Sequence, residues 1–418
     1  MNQNKLTIGL IGFGVVGEGV YKVLQRTPSL QANIKKVCVK DSTKKRNAPQ
    51  QLFTTDAYSI LNDPEINVVV EVISDTEAAF EFVSTALKNK KNVVSASKKM
   101  IAENFNELLK LQKENKVSLL YEASCAASIP VLRNLEEYYD NDLLVSTNGI
   151  INGSTNYILT KMLEDKIDFK QALLQAQQLG FAEANPSLDV EGIDAVNKWS
   201  IILAHAFGII QHPKNIVHAG IQNITAFDFK IADENNQDIK LVANAKTLNN
   251  GQIAAFVLPQ FVNKTSPLSF VKNEYNGVVI ESSFSETQFF YGKGAGSLPT
   301  ASAVLADISA LLYNYTYGYK KIFKQETNVL SKDYYLQVYI SSKEEALIPT
   351  HFFEHISEAY TNNGFHYLKG SIHLKHFVES NWYKEKGISV IALENPIDED
   401  VEVRKIKKQS IALAKFLL

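Results

Sequence analysis

Apolar residues recur along this chain in two rhythms, and the change of rhythm divides it. Leu6–Ile11 is a short apolar run; a glycine turn follows and opens an apolar-periodic stretch reaching Leu24. That order predicts strand, turn, helix. Short runs at Ile34–Val39, Val68–Ile73, Asn92–Ala96 and Ser118–Tyr121 then alternate with helical patterns at Glu77–Lys88 and Phe105–Asn115. Val68–Ile73 is nearly all apolar, as a strand covered by helices on both faces requires. The alternation predicts an α/β fold with a Rossmann-type, doubly wound parallel sheet.

The rhythm changes around Glu122–Pro130. A helix is expected at Ile129–Tyr139, a strand at Leu143–Asn152, and long helices at Asn156–Leu179 and Gly192–Phe207. Ile253–Leu258, Gly277–Glu281 and Thr287–Tyr291 read as strands of a mainly antiparallel sheet, before a glycine-rich turn opens a helix at Thr300–Leu312. Past Gln325 the pattern restarts as strand Tyr334–Ile340, helix Thr350–Asn362 and strand Val390–Leu393. Three units follow: 1–130 for nucleotide binding, 131–325 as an α+β catalytic and dimerisation domain, and 326–418 as a small α+β domain. The helix near 300–312 is free to return to the first unit.

Composition narrows the function. Of 418 residues, 43 are basic and 45 acidic, so no charge excess attracts nucleic acid or a membrane surface. Two cysteines, Cys38 and Cys125, cannot build a disulfide framework, which suits a reducing, cytoplasmic setting. The first apolar run is too short to span a membrane and has no cleavage-site pattern.

Gly12-Phe13-Gly14-Val15-Val16-Gly17 fits a dinucleotide site. The first glycine allows the tight turn, the second lets backbone approach a pyrophosphate, and the third packs helix on strand. Lys40 stands at the tip of the second strand with Lys44, Lys45 and Arg46 close behind, which favours the 2′-phosphate of NADP. Asp41 beside it suits the free ribose hydroxyls of NAD, so both nucleotides stay open. The segment 179–198 gathers Glu183, Asp189, Glu191 and Asp194 ahead of Lys198. On a helix from Gly192, Asp194 and Lys198 share one face. They form either an exposed ion pair or a proton-handling site whose carboxylates suit a substrate ammonium.

GFGVVG, VVSASKKMIA, YEASCAASIPVL, GIINGSTNYILTKM, AQQLGFAEANPSLDVEGIDAVNK and GKGAGSLPTASAVLAD occur in this order. Together, over about residues 6–320, they resemble the homoserine dehydrogenases. The resemblance implies reversible interconversion of L-homoserine and L-aspartate 4-semialdehyde with NAD(P), by a homodimer or homotetramer. It places the proton-shuttling lysine on Lys198 and a second active-site lysine on Lys98. It places substrate-holding carboxylates on Glu183, Asp194 and Asp189. Thr76 is a further candidate cofactor contact, and Gly294, with Gly292 and Gly296 before a helix, either approaches the nicotinamide side or only permits a tight strand-to-helix turn. A monovalent cation, usually sodium, would be held by Glu122 and the backbone at Cys125, Ala127 and Ile129.

Several positions depart from that family. Ala126-Ala127-Ser128 replaces a glycine run, Ser74-Asp75 a glycine pair, Asn185 an aspartate and Ser97 an asparagine. Asn152–Asn156 could be a plain helix cap with Ser154 as the capping group. The tail loosely resembles an ACT domain, as an effector site or a dimer-stabilising appendage. Two rivals remain. Cys125 suggests a thiolate-dependent semialdehyde dehydrogenase, and the altered Ser74-Asp75 suggests an NADPH sensor without turnover.

Overall fold

The computed structural model of the chain describes residues 5–139, 143–324, 329–362 and 364–399. Its first part runs β1 (Leu6–Ile11), α1 (Val15–Arg26), β2 (Ala32–Cys38), β3 (Phe53–Thr54), α2 (Tyr58–Leu61), β4 (Val68–Glu71), α3 (Thr76–Lys88), β5 (Asn92–Ser95), α4 (Lys98–Asn115) and β6 (Leu119–Leu120). These six strands form one parallel sheet in the order β3-β2-β1-β4-β5-β6. The direction of winding reverses between β1 and β4, so a crevice opens at their carboxyl ends, where such sheets take their ligands. Ile8, Leu10 and Val68–Val70 are fully buried, because helices cover both faces.

The second part follows with α5 (Val131–Glu137), β7 (Leu144–Ile150), α6 (Gly153–Glu164), α7 (Phe169–Gln178), α8 (Ser187–Val190), α9 (Ile193–Phe207), β8 (Val217–His218), α10 (Ala226–Glu234), β9 (Gln237–Thr247), β10 (Ile253–Asn263), β11 (Tyr275–Ser282), β12 (Glu286–Lys293), α11 (Ser297–Leu311) and α12 (Lys320–Phe323). Helix α9 is buried on all sides from Asp194 to Phe207. One side of it lies on the second sheet and another on α4 of the first part. Helix α11 returns to pack on α1, where a Cβ at Gly19 would strike the Ser297 carbonyl at 2.6 Å.

The tail contributes β13 (Tyr335–Ser342), β14 (Phe353–Asn362), β15 (Phe365–His373), α13 (Lys375–Glu379) and β16 (Ser389–Asp398). It does not stand apart. β16 lies beside β10, giving a ten-stranded sheet ordered β12-β11-β7-β9-β10-β16-β13-β15-β14, with β8 also on β10. Tyr339 and Ser341 of β13 both donate to the buried Asp228 carboxylate of α10.

Two expectations are corrected, and one element is new. Residues 350–362 form a short turn and strand β14 rather than a helix, so the strand–helix pattern behind the ACT likeness is absent there. Asn156–Leu179 is not one helix: α6 stops at Glu164, Lys166 turns to φ 57°, and Asp168 caps α7 afresh. Strand β9, central in the second sheet, was not anticipated. The expected boundary near Gln325 and residues 400–418 of the expected third unit lie outside the described residues.

Candidate active site

The glycine turn meets each demand made of it. Gly12 has φ 103°, and a Cβ there would press on the Val72 carbonyl at 2.9 Å. A Cβ on Gly17 would strike the Gly12 carbonyl at 2.3 Å, whereas one on Gly14 meets nothing within 4 Å. The first and third glycines thus serve the turn, and the second faces open space. No side chain caps α1, which leaves its first N–H groups for phosphate oxygens. Phe13 packs edge-on against Phe53, Val16 is half-buried, and Val15 is exposed at the helix start. Lys40 is exposed just past β2. Asp41 is not free to take both ribose hydroxyls, because its Oδ1 accepts from the N–H and the Oγ1 of Thr43 at 2.8 and 2.6 Å.

A second cluster forms where α4, β7 and α9 meet. Asp194 Oδ1 lies 2.8 Å from Lys98 Nζ, and Asp194 Oδ2 lies 2.7 Å from Lys198 Nζ. Lys198 also donates to the Ile151 carbonyl at 2.8 Å. The bland alternative of an exposed helix pair is excluded, since Asp194 and Lys198 are both buried. Burial opposes charge on Asp194, but the two ammoniums outweigh it and hold the carboxyl well below the usual range. Asp194 in turn raises the pKa of Lys98. Both Asp194 oxygens therefore accept from lysines.

Asp189 and Glu183, the other two expected carboxylates, lie near enough to act on Lys98. Asp189 is half-buried, and desolvation, with Asp194 nearby, raises its carboxyl. Glu183 is exposed and near enough to act on Lys98. Asn152, not Ser154, caps α6, accepting from the Thr155 N–H at 2.8 Å. Its Nδ2 donates to Asp189 at 2.7 Å and to Asp194 at 2.8 Å, a bridge sequence reasoning missed. Ser154 instead donates to the Phe181 carbonyl.

Buried Glu71, also missed, holds the turn that leads into Lys98 by accepting from Ser95, Ser97 and the Ile73 N–H. The departure at Ser97 is thus used in the structure. Asp75 caps α3 by accepting from Ala78 N–H, with half-buried Thr76 as the first helical residue. Gly294 is buried against the Asn276 amide, so its need for glycine comes from a side-chain contact rather than from open ligand space.

Around Glu122 the picture is electrostatic. Its two carboxylate oxygens accept from the Leu132 and Arg133 N–H groups at 2.8 and 2.9 Å. Burial, reinforced by Asp307, pushes its carboxyl up to about 7. Asp307 is itself pushed up to about 6 by burial; it pairs with Arg133 at 2.6 Å and accepts from the Glu122 N–H at 2.9 Å. Cys125, Ala127 and Ile129 are buried beside this block; Ala127 has φ 45°, and the Ile129 carbonyl accepts from Val131 N–H. Burial pushes the Cys125 thiol up to about 12, which leaves no thiolate for nucleophilic attack.

Comparison with known proteins bears directly on this geometry. The homoserine dehydrogenase family model matches residues 130–309, and the model of its NAD-binding domain matches residues 12–122. A homoserine dehydrogenase of Bacillus subtilis is 36% identical over 357 residues, covering 81% of this chain and 82% of that protein. The chain belongs to the homoserine dehydrogenase family. A Synechocystis relative is 38% identical over 72% of both chains. The crystal structure of a homoserine dehydrogenase from Thiobacillus denitrificans superposes with TM-score 0.80 at 28% identity, covering 93% of this chain and 98% of that one. A hyperthermophilic archaeal homoserine dehydrogenase mutant in complex with NADPH gives TM-score 0.64 at 25% identity, covering 75% of this chain and 99% of that one. The enzyme is an oxidoreductase that uses a nicotinamide dinucleotide to interconvert L-homoserine and L-aspartate 4-semialdehyde in amino-acid biosynthesis. Turnover, not nucleotide sensing alone, is the family's activity. Among the described residues no helix is long and apolar enough to cross a membrane.

Proposed function

We propose that Lys198 carries the hydroxyl proton of this reaction, that Lys98 assists it, and that NADP is the preferred nucleotide. The observation that carries the reading is the Lys98–Asp194–Lys198 junction, in which buried Asp194 and Lys198 meet half-buried Lys98 and which joins α4 of the nucleotide-binding part to α9. The dinucleotide supplies or accepts the hydride when bound, and Gly12–Gly17, Lys40 and Thr76 would hold it. In the reductive direction, the Lys198 ammonium keeps one proton on Asp194 and one on the Ile151 carbonyl, and gives the third to the developing alkoxide oxygen. In oxidation the neutral amine takes that proton back. Lys98 adds positive charge beside the same oxygen. Glu183, Asp194 and Asp189 supply the negative charge that holds the substrate ammonium, and Asn152 keeps Asp189 next to Asp194. Much of the rate comes from holding both reactants in one geometry.

For NADP, Lys40 is exposed just past β2 while Asp41 accepts from Thr43. The test follows reduced-nicotinamide absorbance with L-homoserine and either NADP⁺ or NAD⁺. Wild type is expected to be faster with NADP⁺. Lys40→Ala should raise its KM for NADP⁺ by about tenfold, the size of one charge-assisted contact, and leave NAD⁺ unchanged. Equal effects on both nucleotides would remove Lys40 from the 2′-phosphate.

A monovalent cation, taken as sodium, fits the block at Glu122 with the backbone at Cys125, Ala127 and Ile129. Glu122 and Asp307 place two buried acids against the single Arg133, and one more positive charge would offset the excess. Sodium chloride should raise the thermal midpoint by about a degree over tetramethylammonium chloride at equal ionic strength, an effect of about 1 kcal/mol. Glu122→Gln should abolish the difference; if the two salts match in wild type, the cation assignment fails.

Division into units at 130 and 325 follows the same reading, with the tail as a regulatory or dimer-stabilising addition. Exposed Phe284, Phe289 and Tyr291 at and beside edge strand β12 support a homodimer or homotetramer. Two free, buried cysteines suit the cytoplasm.

A further inference from the structure

We propose that Asn276 is a positioning residue for the reaction: its carboxamide holds the 292–296 loop against the end of β7 when the nicotinamide nucleotide is bound. Asn276 lies on β11 opposite Gly292 of β12, and the next residue, Gly277, pairs with Ile150 of β7. Continuing that antiparallel register sets Asn276 opposite Ile151, and directly opposed residues point to the same face. Ile151 belongs with Val278 to the core that α9 fills with Ala195, Val196 and Trp199. The Asn276 side chain therefore shares the face on which α9 carries Lys198, beside the residue whose carbonyl holds the Lys198 ammonium.

Asn276 is fully buried, and its Oδ1 and Nδ2 pair with none of the described residues. A sealed carboxamide of this kind costs the resting fold stability and returns none. What lies on it is Gly294, whose Cβ, if present, would come within 1.8 Å of Nδ2. The loop is anchored at Ser128, which donates to the Lys293 carbonyl at 2.9 Å, and at Ser297, which donates to the Val15 carbonyl at 2.8 Å. It thus runs from Asn276 to the first turn of α1, where the glycine motif opens. Gly296, exposed with φ 117°, lets it turn freely between those anchors. A nucleotide pressing on the Val15 end shifts the Gly294 end across the amide, bringing loop peptide groups onto Oδ1 and Nδ2. The loop then fixes the reacting groups relative to Lys198.

Asn276→Leu keeps the branch point and the number of side-chain heavy atoms and removes both polar atoms. Three readings decide: the thermal midpoint without ligand, its rise with NADPH, and kcat. The expected result is an unliganded midpoint equal to or above wild type, a smaller NADPH-induced rise, and kcat lower by at least about tenfold with little change in homoserine KM. An unchanged NADPH-induced rise with unchanged kcat overturns the proposal. A lower unliganded midpoint with unchanged kcat assigns Asn276 to the fold alone and overturns it as well. If Asn276→Leu does not fold, the NADPH-induced rise and kcat of Asn276→Ala decide in the same way. The proposal rests on Lys198 as proton carrier. Lys198→Met measured alongside keeps the two apart, since it should lose kcat while retaining the full NADPH-induced rise.

Discussion

Lys198→Met should lower kcat by about 10²–10⁴-fold, the usual contribution of a positioned proton donor or acceptor. Methionine approximates the length of the lysine stem, so packing of α9 between the sheet and α4 should survive. The ammonium that reaches Asp194 Oδ2 and the Ile151 carbonyl is what disappears. Dinucleotide binding should not follow it, because the glycine turn and Lys40 lie on other elements. Nucleotide titration by NADPH fluorescence, beside steady-state kinetics, separates the two effects. Should kcat stay within about tenfold of wild type, the proton must travel by another group.

The second large effect belongs to Asp194→Asn. An exposed helix pair contributes about 0.3–0.5 kcal/mol, and breaking a buried one costs about 3–5 kcal/mol. Asp194 is buried and answers two ammoniums, so the higher range applies. The amide would leave Lys98 and Lys198 repelling each other across one site, with both lysine heads misplaced and activity lost along with stability. The dependence on pH has a definite sign. The Asp194 carboxyl is held below its ordinary value in the folded chain. Its contribution is therefore complete above the unfolded pKa of about 3.9, and is lost as pH falls below it through the folded value. Lys98, raised by Asp194, runs the other way: its contribution is complete below the ordinary lysine value and fades as pH rises through the folded one. Urea unfolding of wild type and variant at pH 7 should differ by several kcal/mol, and the gap should narrow as pH drops below about 4. Equal stability at pH 7 would mean the junction contributes nothing to the fold.

Much of this was legible in the chain. The parallel sheet follows from short apolar runs alternating with helical stretches, because strands buried on both faces have no polar side to show. The glycine motif could be read because each glycine answers a local backbone demand. Asp194 and Lys198 could be paired because four residues on a helix bring side chains to one face. The catalytic blocks were recognisable only through their resemblance, in sequence and order, to the homoserine dehydrogenases.

What failed did so where tertiary partners override local pattern. Strand β9 hid because Asp238, Lys240 and Asn244 interrupt its apolar rhythm; all three are buried, and partners far off in sequence satisfy Lys240 and Asn244. Strand β14 read as a helix because most of its residues are exposed, and an edge strand without a buried face carries no alternation. Its partner β15, not its own sequence, makes it a strand. Sequence by itself determined the nucleotide-binding half, the glycine turn and the acid–lysine helix, since each is a local contest of backbone and periodicity. Only the tertiary structure brought Lys98 to Asp194, gave each oxygen of that carboxylate a lysine, set Asn152 beside it, and held the turn into Lys98 with Glu71. Those contacts depend on two sheets meeting along α4 and α9, and no local propensity encodes a meeting of that kind.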